Sequence, residues 1–331
     1  MYNKSAIAYK PPAAPPDNAV TVITAVDNRY LPHLAALVES IKAYFPQDRF
    51  LELFVLDDGI QEAQKKLLER QFSMNFEKGN IYFINCEGFY KSIPTHTHLT
   101  TATFYRFLVG RLFPNHKKVL YLDTDIIVLS DISELFDCFV QEEYLVGAAY
   151  DLGMKAFFCE GKKKRIPRKI KGLGGVPVNS YLKDYLGLGE HEDKYFQAGV
   201  MLLNLDKFRE LNLEVLAIND LLTNKYWLLD QDVLNKYARG KVFELDTSWN
   251  CLSFSLDLCK NLPQEWAEKV KKDFLKPKIV HYAGSEEKPW NNASAPLAHF
   301  YWFFLRRTFW YEQVMESTLN KKGFFQRIFH K

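Results

Sequence analysis

The run Val119-Leu120-Tyr121-Leu122-Asp123-Thr124-Asp125-Ile126-Ile127-Val128-Leu129 constrains the fold of this chain more than any other stretch. It is apolar, free of Gly and Pro, and broken once by two carboxylates spaced i, i+2. An ionised carboxylate is costly to bury unless it is paired or holds a metal. In an extended strand, residues two apart point to the same side. Asp123 and Asp125 are therefore expected to reach one hard cation together, at the end of a central strand. A divalent ion held by one or two carboxylates, its other ligands phosphate oxygens and water, is the usual arrangement for a nucleotide substrate. Three other readings compete. Two turn carboxylates could cap the next helix, but the apolar residues on both sides argue against plain exposure. A haloacid-dehalogenase-type phosphatase also places DxD after a strand, but wants Thr or Val where this chain has Ile127, and usually sits near the N-terminus. An EF-hand is excluded, because no Gly or closing Glu follows at the required offsets.

The flanking sequence supplies the sheet. Ala19–Val26 is β-branched and apolar and reads as a buried strand ending at Asp27-Asn28-Arg29-Tyr30. Phe50–Leu56, closed by Asp57-Asp58-Gly59, Ile81–Ile84, Val119–Leu122 and Tyr144–Ala149 read as further strands. Between them lie helical patterns: Leu31 to Ile41, Gln61 to about Phe72, Thr100 to about Leu112, and a helix start at Ser130-Asp131 with Glu134 in capping-box position. Alternating strands and helices predict an α/β sheet, doubly wound. Ligands of such sheets sit beyond the carboxyl ends of the strands, where Asp27, Asp57, Asp123 and Asp125 fall. Lys155 to Gly175 carries eight basic residues and then glycines, and is expected to be a long mobile loop outside the core. Beyond it, Val200–Leu203 is apolar, Asp206 and Asp230-Gln231-Asp232 open helices, and Lys278–His281 is a last strand ending on a histidine.

Composition limits the functional classes. With 47% hydrophobic residues in 331, the chain can bury a large core. A net charge of +3 does not argue for a nucleic-acid partner. Five scattered cysteines without CxxC spacing favour free thiols. There is no signal-peptide pattern and no stretch of about 18 apolar residues, so the expected location is cytoplasmic, peripheral at most at the inner face of the plasma membrane.

Six motifs in order, AVDNRY, TFYRFL, VLYLDTDIIV, FQAGVMLLNL, LLDQDVLN and HYAGSEEKPW, resemble family 8 glycosyltransferases. This is the retaining GT-A group that includes bacterial lipopolysaccharide galactosyl- and glucosyltransferases and glycogenin. The resemblance runs from about Ala19 to Trp290. It implies a Rossmann-like GT-A domain over residues 19–290, with a mixed, mostly parallel sheet flanked by helices. Residues 1–18 would be a flexible leader, 155–192 an acceptor-side loop insertion, and 291–331 a helical extension rich in aromatic and basic residues. It further implies Mn²⁺ (or Mg²⁺) held by Asp123, Asp125 and His281. A UDP-sugar donor would meet Asp27, Arg29, Tyr30, Arg106, Thr124, Gln197, Gly284 and Lys288. Asp230, Gln231 and Asp151 would wall the transferred sugar and serve catalysis, and His98 would begin the acceptor cleft. Gln197 stands where the family usually has Asn, and Arg29 where a smaller polar residue is common.

The residues also have plainer readings. Arg106 on an apolar helix could snorkel, and Asp232 in a first helical turn suits the helix dipole. His96 and His98 lack a third ligand nearby. The expected activity is transfer of galactose or glucose from a UDP-sugar, with retention, to a glycan or lipid-linked oligosaccharide. The basic run favours an anionic acceptor, and the C-terminal aromatics suggest a membrane surface. The contrary expectation is a binding protein that keeps the nucleotide-sugar site but has lost turnover.

Overall fold

The computed structural model describes residues 12–95, 100–139, 143–160, 164–284 and 286–321. Ten strands are present among them, β1 Ala19–Asp27, β2 Phe50–Asp58, β3 Gly79–Asn85, β4 Lys118–Leu122, β5 Ile126–Val128, β6 Val146–Tyr150, β7 Phe196–Asn204, β8 Val242–Glu244, β9 Cys251–Leu252 and β10 Ile279–His281. Seven form one sheet in the order β3-β2-β1-β4-β7-β6-β8. Its pairs are parallel except β4–β7 and β6–β7, so the sheet is mixed and mostly parallel, as expected.

Both faces are covered, which is why the strands read as continuous apolar runs. Alternation still sorts them. Val22, Leu120, Leu122, Val200 and Leu202 enter one apolar cluster; Ile23, Val119, Tyr121, Met201 and Leu203 enter the other. Helices Leu31–Tyr44 and Ile132–Cys138 lie on the first face, the second opening with the Asp131 carboxylate capping Ser133 N–H at 2.8 Å.

The chain goes from β1 outward to β2 and β3, then returns to place β4 on β1's other side. The β1/β4 junction is thus the switch point where doubly wound sheets bind ligands. Asp27 ends β1, and Asp123 follows β4 directly.

Asp123-Thr124-Asp125 is not strand, however. It is the bend by which the chain leaves the main sheet and enters a second one, β5-β10-β9. The two carboxylates converge because the bend turns them inward, not through the two-residue repeat of a strand. The second sheet also explains how a residue over 150 positions away reaches them. β10 runs antiparallel to β5 with His281 opposite Ile126. Tyr282 N–H then donates to Asp125 O at 2.9 Å.

The stretch expected as a loop from Lys155 to Gly175 begins as helix and, among the described residues that follow, is a loop pinned to the core at intervals. Helix Leu152–Cys159 contains Lys155, and Met154, Ile166, Ile170, Leu173 and Val178 are buried in a main cluster. The charge count hid three apolar anchors in this stretch, Ile166, Ile170 and Leu173. Lys162 and Lys163 lie outside the described residues.

The C-terminal extension packs on the domain through helix Ala298–Leu305. Tyr301, Phe304, Leu305, Trp310 and Val314 are buried with the first-face cluster. Phe324 to Phe329, and the leader up to residue 11, lie outside the described residues. Among the described residues no helix is long and apolar enough to cross a membrane.

Candidate active site

A cleft of about 220 Å³ opens at the β1/β4 junction. Of the residues expected to form the site, Asp27, Tyr30, Arg106, Asp123, Thr124, Asp125, Gln197, Asp230, Gln231, His281, Gly284 and Lys288 line it. One oxygen each of Asp123 and Asp125 and one ring nitrogen of His281 lie within 4.8 Å of one another. The donors are two hard oxygens and an imidazole, a set that suits Mn²⁺ or Mg²⁺. The backbone makes room for them at Gly199 in β7. A Cβ there would overlap His281 Cε1 and stand 2.9 Å from Asp123 Oδ2. The residues present therefore fit a divalent ion.

Each carboxylate of the pair already has cationic company. Arg106 donates to Asp123 Oδ1 at 2.8 Å, to Ala198 O at 2.7 Å and to Thr103 O at 2.9 Å, and stands 3.1 Å from Asp230 Oδ2. Its guanidinium lies 4.4 Å from the centre of the Tyr121 ring. Burial alone would depress Arg106, but Asp230, Tyr121 and Asp123 outweigh it and raise its pKa. Arg106 does not snorkel; it ties Asp123 to Asp230. Lys288 Nζ is ion-paired with Asp125 Oδ2 and donates to Tyr282 O at 3.1 Å. His281 Nε2 is 3.2 Å from Asp125 Oδ1. Burial works to raise Asp125, yet the Lys288 ammonium holds it far below the usual carboxylate range.

Across the cleft, helix Asp230–Tyr237 starts from Leu229, a non-glycine residue at φ +45°. Side chains disfavour that backbone conformation. It is held by Leu228 N–H donating to Asp232 Oδ2 at 2.6 Å. Thr103 Oγ1 donates to Asp230 Oδ1 at 2.9 Å, and burial pushes the Asp230 pKa up against the pull of Arg106. Gln231 Oε1 accepts from Ala198 N–H at 3.0 Å. Its Nε2 donates to Asp151 Oδ2 at 2.9 Å.

Asp151 is accordingly outside the cleft lining. It sits behind Gln231 and caps helix Leu152–Cys159 by accepting from Met154 N–H. Asp232 turns away from the cleft into the hydroxyls of Tyr181 and Tyr195, at 2.6 and 2.7 Å. That is more than a dipole partner.

Arg29 does not line the cleft either. Its side chain is 72% exposed and folds back on Asp27 Oδ2 at 2.7 Å. A two-residue turn from Asp27 makes that contact easier than reaching inward. Tyr30 does reach in, and the C-terminal extension braces its neighbours. His33 stacks on Trp290 at 3.4 Å between ring centres and bonds Tyr301 Oη at 2.7 Å. Gly284 adopts φ +85°, which favours glycine, and exposes backbone to the cleft beside Lys288. His98 and His96 lie outside the described residues.

Of the basic run, Lys155 stacks on Trp266 at 4.1 Å and Lys164 on Phe157 at 4.3 Å. Arg168, Lys169 and Lys171 are exposed. Sequence reasoning missed Thr103 and Tyr121, which sit in quoted motifs, and Asn250, whose side chain touches both His281 and Gln197. A polar residue wedged in Trp249-Asn250-Cys251-Leu252 was the available signal.

A switch-point cleft in a mixed, mostly parallel sheet of this order is the GT-A-type glycosyltransferase architecture. The chain belongs to glycosyl transferase family 8, whose family profile matches residues 21–294. It is 26% identical to General stress protein A of Bacillus subtilis over 89% of this chain and 96% of that one. It is 24% identical to the lipopolysaccharide 1,3-galactosyltransferase of Salmonella typhimurium, over 83% and 74%. Among solved structures it is similar to the apo bifunctional glycosyltransferase WbbM, with TM-score 0.79 and 27% identity over 92% of this chain. The match spans only 53% of that longer protein. It shares its fold with the galactosyltransferase LgtC, solved with donor and acceptor sugar analogues, at TM-score 0.65 and 22% identity over 88% and 96%. The phosphatase reading of the DxD pair is set aside by this membership.

Proposed function

We propose that the chain transfers a hexose, galactose or glucose, from a UDP-sugar to a glycan or lipid-linked oligosaccharide, with retention and with Mn²⁺ or Mg²⁺ as cofactor. The observation that carries this reading is the convergence of Asp123, Asp125 and His281 within one cleft. Lys288 and Gly284 border that cleft beside the metal site, and Asp230 and Gln231 stand across it. The similarity to lipopolysaccharide galactosyl- and glucosyltransferases supports the hexose.

The ion, when bound, supplies Lewis-acid stabilisation of charge on the departing diphosphate. Asp123, Asp125 and His281 would hold it. The chain's own residues do the rest. Lys288 adds a second positive charge beside the diphosphate oxygens, and Gly284 lets the backbone approach them. Tyr30 and Asp27 close the nucleoside side. Arg106 fixes Asp123 and Asp230 relative to each other, so metal site and sugar site keep one spacing. Asp230 and Gln231 present oxygen to a sugar centre that becomes oxocarbenium-like as its leaving group departs. Asp151 positions Gln231 from behind. The exposed Arg168, Lys169 and Lys171 give the insertion a cationic face suited to an anionic acceptor.

The test is a panel of UDP-sugars with and without Mn²⁺, read by thermal shift and by UDP release. UDP with Mn²⁺ should raise the melting temperature, and one of UDP-galactose or UDP-glucose should release UDP faster with an acceptor glycan. Binding without release would identify a silent nucleotide-sugar-binding protein. No shift with UDP and Mn²⁺ together would end the reading. Neutralising Arg168, Lys169 and Lys171 should raise acceptor KM and leave donor KM alone.

A further inference from the structure

We infer that Asn250 and Gln197 form a two-amide relay by which the Gly199 backbone N–H sets the tautomer of His281. The inference rests on the proposed metal-dependent transfer and deepens it, because it assigns positioning residues to that site.

The direction of every bond in the relay is fixed from one end. Gly199 N–H can only donate, and it meets Gln197 Oε1 at 2.6 Å. That oxygen is therefore an acceptor. Asn250 lies 2.7 Å from the same oxygen, so the atom it presents is Nδ2, donating. The amide's other end is then Oδ1, which can only accept. It stands 2.9 Å from His281 Nδ1, so Nδ1 carries a proton. In the neutral ring only one nitrogen is protonated. His281 Nε2, 3.2 Å from Asp125 Oδ1, is left with its lone pair facing the metal site.

Without the relay the balance would reverse. Asp125 is a carboxylate beside Nε2 and accepts hydrogen bonds only. Left to itself, the imidazole would place its proton on Nε2 and donate to Asp125, and that tautomer cannot ligate at Nε2. A ligating histidine generally has its second nitrogen committed to an acceptor, and losing that partner costs about 10–100-fold in metal affinity. Asn250 and His281 are both nearly fully buried, so water does not replace the contact cheaply.

The arrangement also changes what Gln197 does. Its oxygen is spent on Gly199 and Asn250, so the residue acts on the metal ligand through Asn250 before it acts on the sugar. The short β7 segment Gln197-Ala198-Gly199 thus serves the ion three ways. It supplies the relay oxygen, a carbonyl for Arg106 at Ala198, and the Cβ-free space at Gly199.

The experiment combines two readouts on the full chain. ¹⁵N-resolved histidine spectra of the metal-free protein at mildly alkaline pH report the tautomer. Calorimetric titration with Mn²⁺ in the presence of UDP reports the ion. Wild type should show His281 protonated on Nδ1. Asn250→Ala should move the proton to Nε2 and weaken Mn²⁺ about 10–100-fold, with metal-free UDP binding unchanged. Gln197→Met should shift both readouts the same way, and the double variant should be no worse than Asn250→Ala alone. Gln197→Glu keeps both acceptor contacts and should keep the tautomer. If Asn250→Ala fails to fold, the wild-type spectrum and the Gln197 pair decide. An Nε2 proton in wild type overturns the relay, as does unchanged Mn²⁺ affinity in folded Asn250→Ala. A wild type that has the Nδ1 proton but binds no Mn²⁺ with UDP overturns the proposed transfer and leaves the relay standing.

Discussion

Two centres in this molecule bury carboxylates in different ways. At the cleft, Asp123 and Asp125 meet the cations Arg106 and Lys288. Behind it, Asp232 meets two tyrosine hydroxyls and one backbone N–H. Cations overcome the cost of burial and hold Asp125 far below the ordinary range. Neutral donors do not, and burial pushes the Asp232 pKa up to about 6. The first centre is a set of charges that a divalent ion can join. The second is a tie that joins Tyr181 of the insertion and Tyr195 just before β7 to the strained turn that launches Asp230. Asp230 and Asp232 leave the same helical turn in opposite directions, one to each centre.

The sharpest way to break this contrast is to cut both centres and read one property. Asp125→Ala should abolish the Mn²⁺-dependent thermal shift with UDP and lower turnover by roughly 10³-fold or more. Asp232→Asn should keep the Mn²⁺-dependent shift. Equal losses of ion binding in the two variants would erase the distinction.

Gly199→Ala comes next. The added methyl overlaps His281 and crowds Asp123. Displacing a positioned group by about 1 Å can cost on the order of 10²-fold. Mn²⁺ affinity should fall by that order while the secondary structure seen by circular dichroism is unchanged. A variant that binds Mn²⁺ normally would mean that the backbone yields and the cradle is not rigid.

Much of the cleft-side centre was legible in the sequence, and the reason is physical. Carboxylates in a greasy run need a reason, so Asp123 and Asp125 stood out at once, and the strand pattern put them at a sheet's ligand-binding end. The geometry behind them was not legible, because the bend at Thr124 and the second sheet depend on β9 and β10 returning from far along the chain. The structural tie was mostly invisible. Asp232, Tyr181 and Tyr195 are spread over half a hundred residues and carry no local pattern. In the insertion, charge masked Ile166, Ile170 and Leu173, since eight cations dominate any window average. Asn250 and Gly199 were missed because their roles exist only relative to His281.

The second centre has its own pH signature. The folded pKa of Asp232 lies above its ordinary carboxylate value, so the native state binds the proton more tightly than the unfolded chain does. Its contribution to stability is then greatest at low pH and is lost as pH rises from about 4 to about 6. The scale is about 2–3 kcal/mol for a shift of that size. Asp125 runs the other way: its folded pKa is depressed, so its contribution is present above the ordinary carboxylate range and lost as pH falls through and below it. In chemical denaturation from pH 4.5 to 7, the stability gap between wild type and Asp232→Asn should shrink as pH rises. A gap that widens would mean that Asp232 is charged and paired, as at the cleft.

The smallest effect separates two arginines that the sequence placed together around the donor. Arg106 is buried and bridges Asp123 to Asp230. Arg29 is mostly exposed and pairs with Asp27 at the rim. Exposed ion pairs contribute roughly 0–1 kcal/mol, because water and salt screen them and ordering the side chain costs entropy. Arg29→Ala should therefore change UDP-sugar KM by less than about fivefold, the equivalent of that range, and leave kcat in place. The Asp27 carboxylate would still be held by the backbone N–H groups of residue 29 and Tyr30, at 2.9 and 3.0 Å. A loss of tenfold or more would show that Arg29 swings from Asp27 onto the donor once the nucleotide is bound, which would extend the cationic centre to the rim of the cleft.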